Sequence, residues 1–369
     1  MSRPRRPLGP AAGLLLLAAC AGSPPDPVRA HPGFATLVAS LSEPGGYFDT
    51  DNLISNEASY LHAVGPLERQ GLRGGAYLGV GPDQNFSYMA KIRPGVAFLL
   101  DIRRDNLLQH LLFKALFALG PTRVEYLAML FGRPPPPAPA AWTARDVAEL
   151  VAWVDRTPPD SASRARARGL VDSAVLGFGV PLSDDDRATI ARFHETFIRD
   201  GLDLKFETFG RAPARYYPTY RTLLVERDLA GRQASYLARE ADYAFLRDLQ
   251  ARDRVIPVVG DFAGSHALRA IGDYLRAQGE QVSAFYTSNV EFYLFREGTF
   301  ARFAENVAQL PRSPRAVIIR SLFLSSFSSG HPQAVLGYAS VQLVQPMEGL
   351  TQVGSYRELV MRGSLGSLP

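Results

Sequence analysis

Residues 75–101 read GAYLGVGPDQNFSYMAKIRPGVAFLLD, and this stretch decides the fold. Gly75-Ala-Tyr-Leu-Gly-Val-Gly81 is a short apolar run ending in glycines, the form of a buried strand that feeds a tight turn. Asp83 to Ile92 reads as a short helix stopped by Pro94, and Val96-Ala-Phe-Leu-Leu-Asp101 as a second buried strand ending on an acid. From Arg104 to Leu119, apolar residues at 107, 108, 111, 112, 115, 116 and 119 recur with a helical period. Strand, helix, strand, helix argues for a parallel α/β sheet, because parallel neighbours need a crossover and a helix supplies it.

The same rhythm returns after residue 254. Val255 to Asp261 reads as a strand, Ser265 to Gln278 as a helix and Val282 to Thr287 as a strand. A helix over 299–310 and a strand over 316–320 follow, and 334–345 alternates as a late strand. The middle breaks the pattern. Arg133 to Pro139 is a stiff polyproline segment, helical patterns lie near 143–155, 184–200 and 234–251, and Ser183 with Asp186 has capping-box spacing. Residues 34–72 read as helix in two pieces broken by Glu43-Pro-Gly-Gly46. The expectation is a doubly wound, mainly parallel α/β sheet in two halves, 34–119 and 251–369, with a helical insertion or cap over 120–250.

The chain has 369 residues, 46% hydrophobic and 21% charged, which suits a protein with a sizeable core and excludes a disordered or collagen-like one. Basic residues number 40 against 36 acids. Three of the positives, Arg3, Arg5 and Arg6, lie in the first nineteen residues, which hold no acid. The rest is close to neutral and gives no case for nucleic-acid binding.

That basic start runs into a short apolar stretch, Ala11 to Ala19. It is too short to span a bilayer, which takes about 20 residues, but suits the core of a secretory signal. Leu17-Ala18-Ala19-Cys20 has the pattern of a bacterial lipobox, in which the cysteine is acylated, and Cys20 is the only cysteine in the chain. Residues 1–19 are thus expected to be a signal peptide and 20–33, rich in Pro and Gly, a lipidated tether. The protein is expected to be exported and held on a bacterial membrane by its lipid. A cysteine-free body excludes disulfides, thiolate metal sites and cysteine nucleophiles.

Four constellations fall at the carboxyl ends of the expected strands, where open α/β sheets bind ligands. They are Gly79-Val-Gly81-Pro-Asp83-Gln-Asn85, Asp101, Gly260-Asp261, and the loop Thr287-Ser-Asn289-Val-Glu291. A glycine turn lets backbone approach a ligand, and an acid at the end of the second strand is placed to accept from ribose hydroxyls. Asp83 beside the turn argues against pyrophosphate and for a nucleoside carrying positive charge. The glycine turn alone also reads as an ordinary strand-to-helix connection.

The order strand–GxG–helix, strand–Asp, strand–Gly-Asp, strand–polar loop resembles the class I S-adenosylmethionine-dependent methyltransferase fold. More closely, GGYFDTDNLISNEASYL, YLGVGPDQNF, FLLDIRRDNLLQHLLFKALF and PVVGDFAGSHALRAIGDYL resemble a bacterial family of lipoprotein type with that Rossmann-like fold. The resemblance spans about 40–325 and supplies a fold and a pocket rather than a reaction. It implies S-adenosylmethionine as cofactor, with Gly79 and Gly81 flanking its methionine part, Asp101 on the ribose and Asp261 near the adenine. Asp83, Asn85 and Gly260 complete that site, while Asn289 and Glu291 would face the substrate as the catalytic pair. Two function classes stand: a methyltransferase-like enzyme acting on a small molecule, and a non-catalytic, lipid-anchored binding or scaffold protein on a retained fold.

Weaker signals remain open. Asp49-Thr-Asp51 reads as a cap or a metal-holding DxD, and Ser55-Asn56-Glu57 with Tyr60 as pocket or packing. Tyr216, Tyr217 and Tyr220 read as an acceptor site or as packing of the insertion, and His110 as a core histidine. There is no GxSxG elbow and no HExxH pair, which speaks against hydrolysis.

Overall fold

The computed structural model describes Met1, His31 and residues 33–210, 212–324 and 330–363. The signal segment 1–19, Cys20 and nearly all of the 20–33 tether lie outside the described residues. Helices α1 (Phe34–Leu41) and α2 (Val64–Arg69) precede strand β1 (Ala76–Gly79), and α3 (Gln84–Ile92) leads to β2 (Val96–Asp101). Seven helices follow: α4 (Arg104–Leu119), α5 (Arg123–Leu130), α6 (Val147–Arg156), α7 (Ser161–Gly177), α8 (Asp184–Asp200), α9 (Tyr220–Val225) and α10 (Glu240–Ala251). Then come β3 (Val255–Val259), α11 (Ala267–Gln278), β4 (Val282–Ser288), α12 (Val290–Arg296), α13 (Phe300–Ala308), β5 (Arg312–Phe323), β6 (Ser340–Pro346) and α14 (Tyr356–Met361).

The strands form one mixed sheet in the order β3-β2-β1-β4-β5-β6. The first five are parallel and β6 runs antiparallel to β5. Leu78 of β1 lies between Phe98 and Phe285, and Asp101 stands beside Val259. Strands β1, β2 and β3 are buried along their whole length, which is why they read as unbroken apolar runs. The chain winds outward from β1 to β3, then returns to β4 on the other side of β1. That reversal opens a crevice at the carboxyl ends of β1 and β4.

The stretch between β2 and β3 adds a layer of helices over the sheet. Helix α4 lies against β2 and β3 and also contacts α7, α8 and α10. Ser183 caps α8 through the backbone N–H of Asp186, whose carboxylate takes two bonds from Arg104 at the start of α4, at 2.8 and 2.9 Å. Between α8 and α9, Phe206, Thr208 and Tyr217 reach toward the strand ends. No helix among the described residues is long and apolar enough to cross a membrane.

One expectation fails on the amino-terminal side. Residues 42–59 are irregular rather than helical, and the second helical piece starts only at Tyr60. The reason is local: short polar side chains there bond neighbouring backbone, Thr50 Oγ1 accepting from Asn52 N and Ser55 Oγ from Glu57 N. Such bonds compete with the helix ladder.

Candidate functional site

A cavity of about 290 Å³ sits at the carboxyl ends of β1 to β4. Gly81 follows β1, Asp101 ends β2, Gly260 and Asp261 follow β3, and Ser288 and Asn289 stand at the end of β4; all line this one space. Its other walls come from 47–57 and from Phe206, Thr208 and Tyr217.

The turn after β1 needs Gly81, which has φ +80, a left-handed conformation that glycine adopts without strain. Two side chains hold its shape from inside. Asn85 Nδ2 donates to the carbonyls of Val80 at 2.9 Å and Pro82 at 2.8 Å. His110 Nε2 lies 2.9 Å from the Gly81 oxygen, which sets the ring proton on Nε2. Burial lowers the His110 pKa to about 4, so the ring is neutral and part of the core, packed edge to face on Phe86 and Phe113.

Four residues expected at the ligand are elsewhere. Gly79 is a packing glycine: a Cβ there would fall 1.9 Å from Asn85 Oδ1. Asn85 is fully buried, its Oδ1 accepting from the Tyr77 hydroxyl at 2.8 Å, so it shapes the turn without lining the cavity. Asp83 points into the protein, where the hydroxyls of Tyr220 and Tyr236 donate to Oδ2 at 2.7 and 3.0 Å. Burial raises its pKa to about 6, against the lowering effect of those two bonds. Glu291 is 1% exposed, is sealed in an ion pair with Arg320 of β5, Nε to Oε2 at 2.7 Å, and does not line the cavity. Tyr220 accordingly belongs to packing, whereas Tyr217 lines the cavity and Tyr216 is exposed.

Asp101 reaches the cavity already paired. Arg103 Nε and a terminal nitrogen bind its two oxygens at 3.0 and 2.7 Å. Asp261 Oδ1 accepts from Ala263 N, and its own N–H donates to Glu43 Oε1, both at 2.9 Å. Asp49 lines the cavity, but Asp51 is bound by Arg192 at 2.7 Å. Among the described residues no three His, Cys, Asp or Glu side chains gather closely enough to hold a metal ion.

Ser55, Asn56 and Glu57 all line the cavity, while Tyr60 is buried and donates to the Leu223 carbonyl. Glu57 is 1% exposed. Its Oε1 accepts from Ser288 Oγ at 2.5 Å, and its Oε2 from the Tyr286 hydroxyl at 2.6 Å and Gln342 Nε2 at 3.2 Å. Burial raises its pKa, and the hydrogen bonds oppose that without cancelling it. Ser288 holds φ +52, a conformation an L-residue rarely takes, at the point where it meets Glu57. Arg103, Tyr47 and Phe48 carry no motif in the sequence, while Gln84, Ser288 and Tyr293 lie in or beside the strand-end motifs without a role of their own. Only Arg103, two residues past the strand-end acid, left a usable signal there.

A family described as a domain of unknown function (DUF7790) matches residues 53–361. The chain belongs to that family. The DUF7790 match takes in every strand of the sheet and begins at Leu53, so Ser55, Asn56 and Glu57 fall within it, while the cavity wall at 47–52 precedes it. No curated protein matches the chain.

Proposed function

We propose that the cleft binds S-adenosylmethionine or a related nucleoside, on a methyltransferase-like, doubly wound fold, and that a small molecule is methylated there. The observation that carries this reading is the convergence of Gly81, Asp101, Asp261 and Asn289, from four separate strand ends, on one cavity at the reversal of strand order. The wall charges suit such a ligand. Asp49, Glu57, Asp101, Asp261 and Glu297 line the space, with Arg103 the single cation among the described lining residues. A pyrophosphate would be repelled and a sulfonium attracted.

In this reading the Gly81 turn gives backbone access, Asp101 with Arg103 takes the ribose hydroxyls, Asp261 and Gly260 border the base, and Asn289 faces the substrate. Bound S-adenosylmethionine supplies an electrophilic methyl group; the chain binds, orients and excludes water. The pairing of Asp101 by Arg103 favours a second reading, a binding protein without methyl transfer, because ribose would meet a neutralised pair. In either case the lipobox at Cys20 supports export and a lipid anchor on a bacterial membrane.

Calorimetric titration with S-adenosylmethionine and S-adenosylhomocysteine, up to millimolar concentration, tests the reading. Asp101→Ala is expected to weaken binding about ten- to hundredfold, the worth of a charge-assisted hydrogen bond. Asn289→Ala is expected to keep affinity and lower the release of S-adenosylhomocysteine. Absence of binding heat and of any thermal shift with both nucleosides overturns it.

A further inference from the structure

The inner wall of the cleft carries a buried carboxyl group with no counter-charge. Glu57 is held by hydroxyls and an amide, and no ion pair among the described residues involves it. Gln84 stands next to it through a shared partner, since Gln84 Nε2 donates at 3.2 Å to the Tyr286 hydroxyl that itself donates to Glu57. Gln84 lines the cleft, is 6% exposed, and its Oε1 is buried without a hydrogen-bond partner. A buried acceptor of this kind is stabilised when something donates to it. Two acceptors, a carboxyl and an amide oxygen, therefore belong to residues that line the same space. Phe48 and Tyr293, packed edge to face with centroids 5.1 Å apart, line it too, and Arg296 already lies over the Tyr293 ring at 5.0 Å, so Phe48 supplies the ring face for a cation.

We propose that this end of the cleft is a subsite for a protonated amine, bound between the Glu57 carboxylate and the Gln84 amide oxygen and walled by aromatic rings. An ammonium brings the charge that Glu57 lacks and the N–H that Gln84 Oε1 lacks. A neutral alcohol brings neither in full, and an anion is repelled. The proposal rests on the cleft being a ligand site, as argued above, but not on the ligand being a nucleoside. The ammonium has two sources: the amino-acid end of the nucleoside ligand itself, or a separate amine substrate.

Calorimetry on the full chain decides it, with benzylamine and benzyl alcohol as probes of like shape and different charge. Benzylamine is expected to bind at least tenfold more tightly than benzyl alcohol, with the difference abolished in Glu57→Gln and reduced several-fold in Gln84→Met. Equal binding of the two probes, no binding of benzylamine, or benzylamine binding unchanged in both variants overturns the proposal. S-adenosylhomocysteine and 5′-methylthioadenosine, which lacks the amino-acid end, separate the sources. If Glu57→Gln weakens only the former, the ammonium is the nucleoside's own; if it weakens benzylamine and spares both, the amine is a separate substrate. Benzylamine binding with neither nucleoside bound retains the amine subsite and removes the nucleoside reading.

Discussion

Arg103 clasps Asp101 through two nitrogens, and its remaining terminal nitrogen donates to the carbonyls of Thr50 and Asp51, each at 2.9 Å. One guanidinium thus ties the end of β2 to the irregular segment that walls the cleft. Both partners are about 6% exposed, so removing one strands a buried charge. Arg103→Met is expected to cost about 3–5 kcal/mol in urea unfolding. Arg103→Met combined with Asp101→Leu is expected to cost clearly less than the two single changes added together, as a double-mutant cycle reads.

Asp83 should make the protein more stable in mild acid. Its folded pKa of about 6 lies above the ordinary 3.8, so the folded state holds the proton more tightly. The stabilisation from that proton is complete below pH 3.8 and is lost as pH rises through 6, about 3 kcal/mol in all. Asp83→Asn is expected to remove this slope. A wild type and variant whose stabilities differ by a constant amount from pH 4 to pH 7 would contradict it.

His110 and His194 pull the other way. Both are buried against a backbone carbonyl and have pKa values lowered to about 4 by burial. A histidine with a depressed folded pKa stabilises fully above 6.5 and loses that contribution as pH falls through 4, again about 3 kcal/mol each. Stability curves of His194→Gln, measured from pH 7 to pH 4, are expected to be flatter than wild type, with a change opposite in sign to that of Asp83→Asn.

Gly79→Ala separates packing from ligand contact. The new methyl would displace the Asn85 carboxamide and with it the brace on the Gly81 turn. Overpacking of this kind costs about 1–3 kcal/mol. Thermal unfolding is expected to register that loss even with no ligand in solution. An unchanged melting temperature would return Gly79 to the ligand.

Cys20→Ser is expected to abolish acylation and release the protein from membranes. Metabolic labelling with a fatty acid reads the first effect and fractionation the second; wild type left unlabelled and in the soluble fraction would exclude the anchor.

Much of the sheet could be read from the sequence because β1, β2 and β3 are buried on both faces, leaving continuous apolar runs punctuated by glycine and aspartate. The same punctuation pointed to Gly81, Asp101 and Asp261, and the polar loop after the fourth strand to Asn289, all of which line the cleft. Glu57 could not be assigned that way, since the partners that define it, Tyr286 and Ser288, lie 229 and 231 residues along the chain. Asp83 was misplaced for a related reason. Its position in the turn suggests a ligand, whereas the tyrosines that claim it come from residues 220 and 236. Helix α7, SASRARARGLVDSAVLG, escaped notice because it buries only Ala167, Val171, Ala174 and Val175 and shows little apolar stripe.

The pairing of Asp101 beside Val259 joins strands separated by the whole of residues 102–254. Helices within that span form from near neighbours, but the parallel match of β2 with β3 must wait until the span has collapsed to bring its ends together. Contacts of such long sequence separation are slow to form. The wall carrying Gly260 and Asp261 is therefore expected to be completed late in refolding, after β1, α3, β2 and α4. Recovery of ligand binding should lag behind recovery of helix content, because this match and the still longer-range match of β1 with β4 must both close before the cleft has its walls.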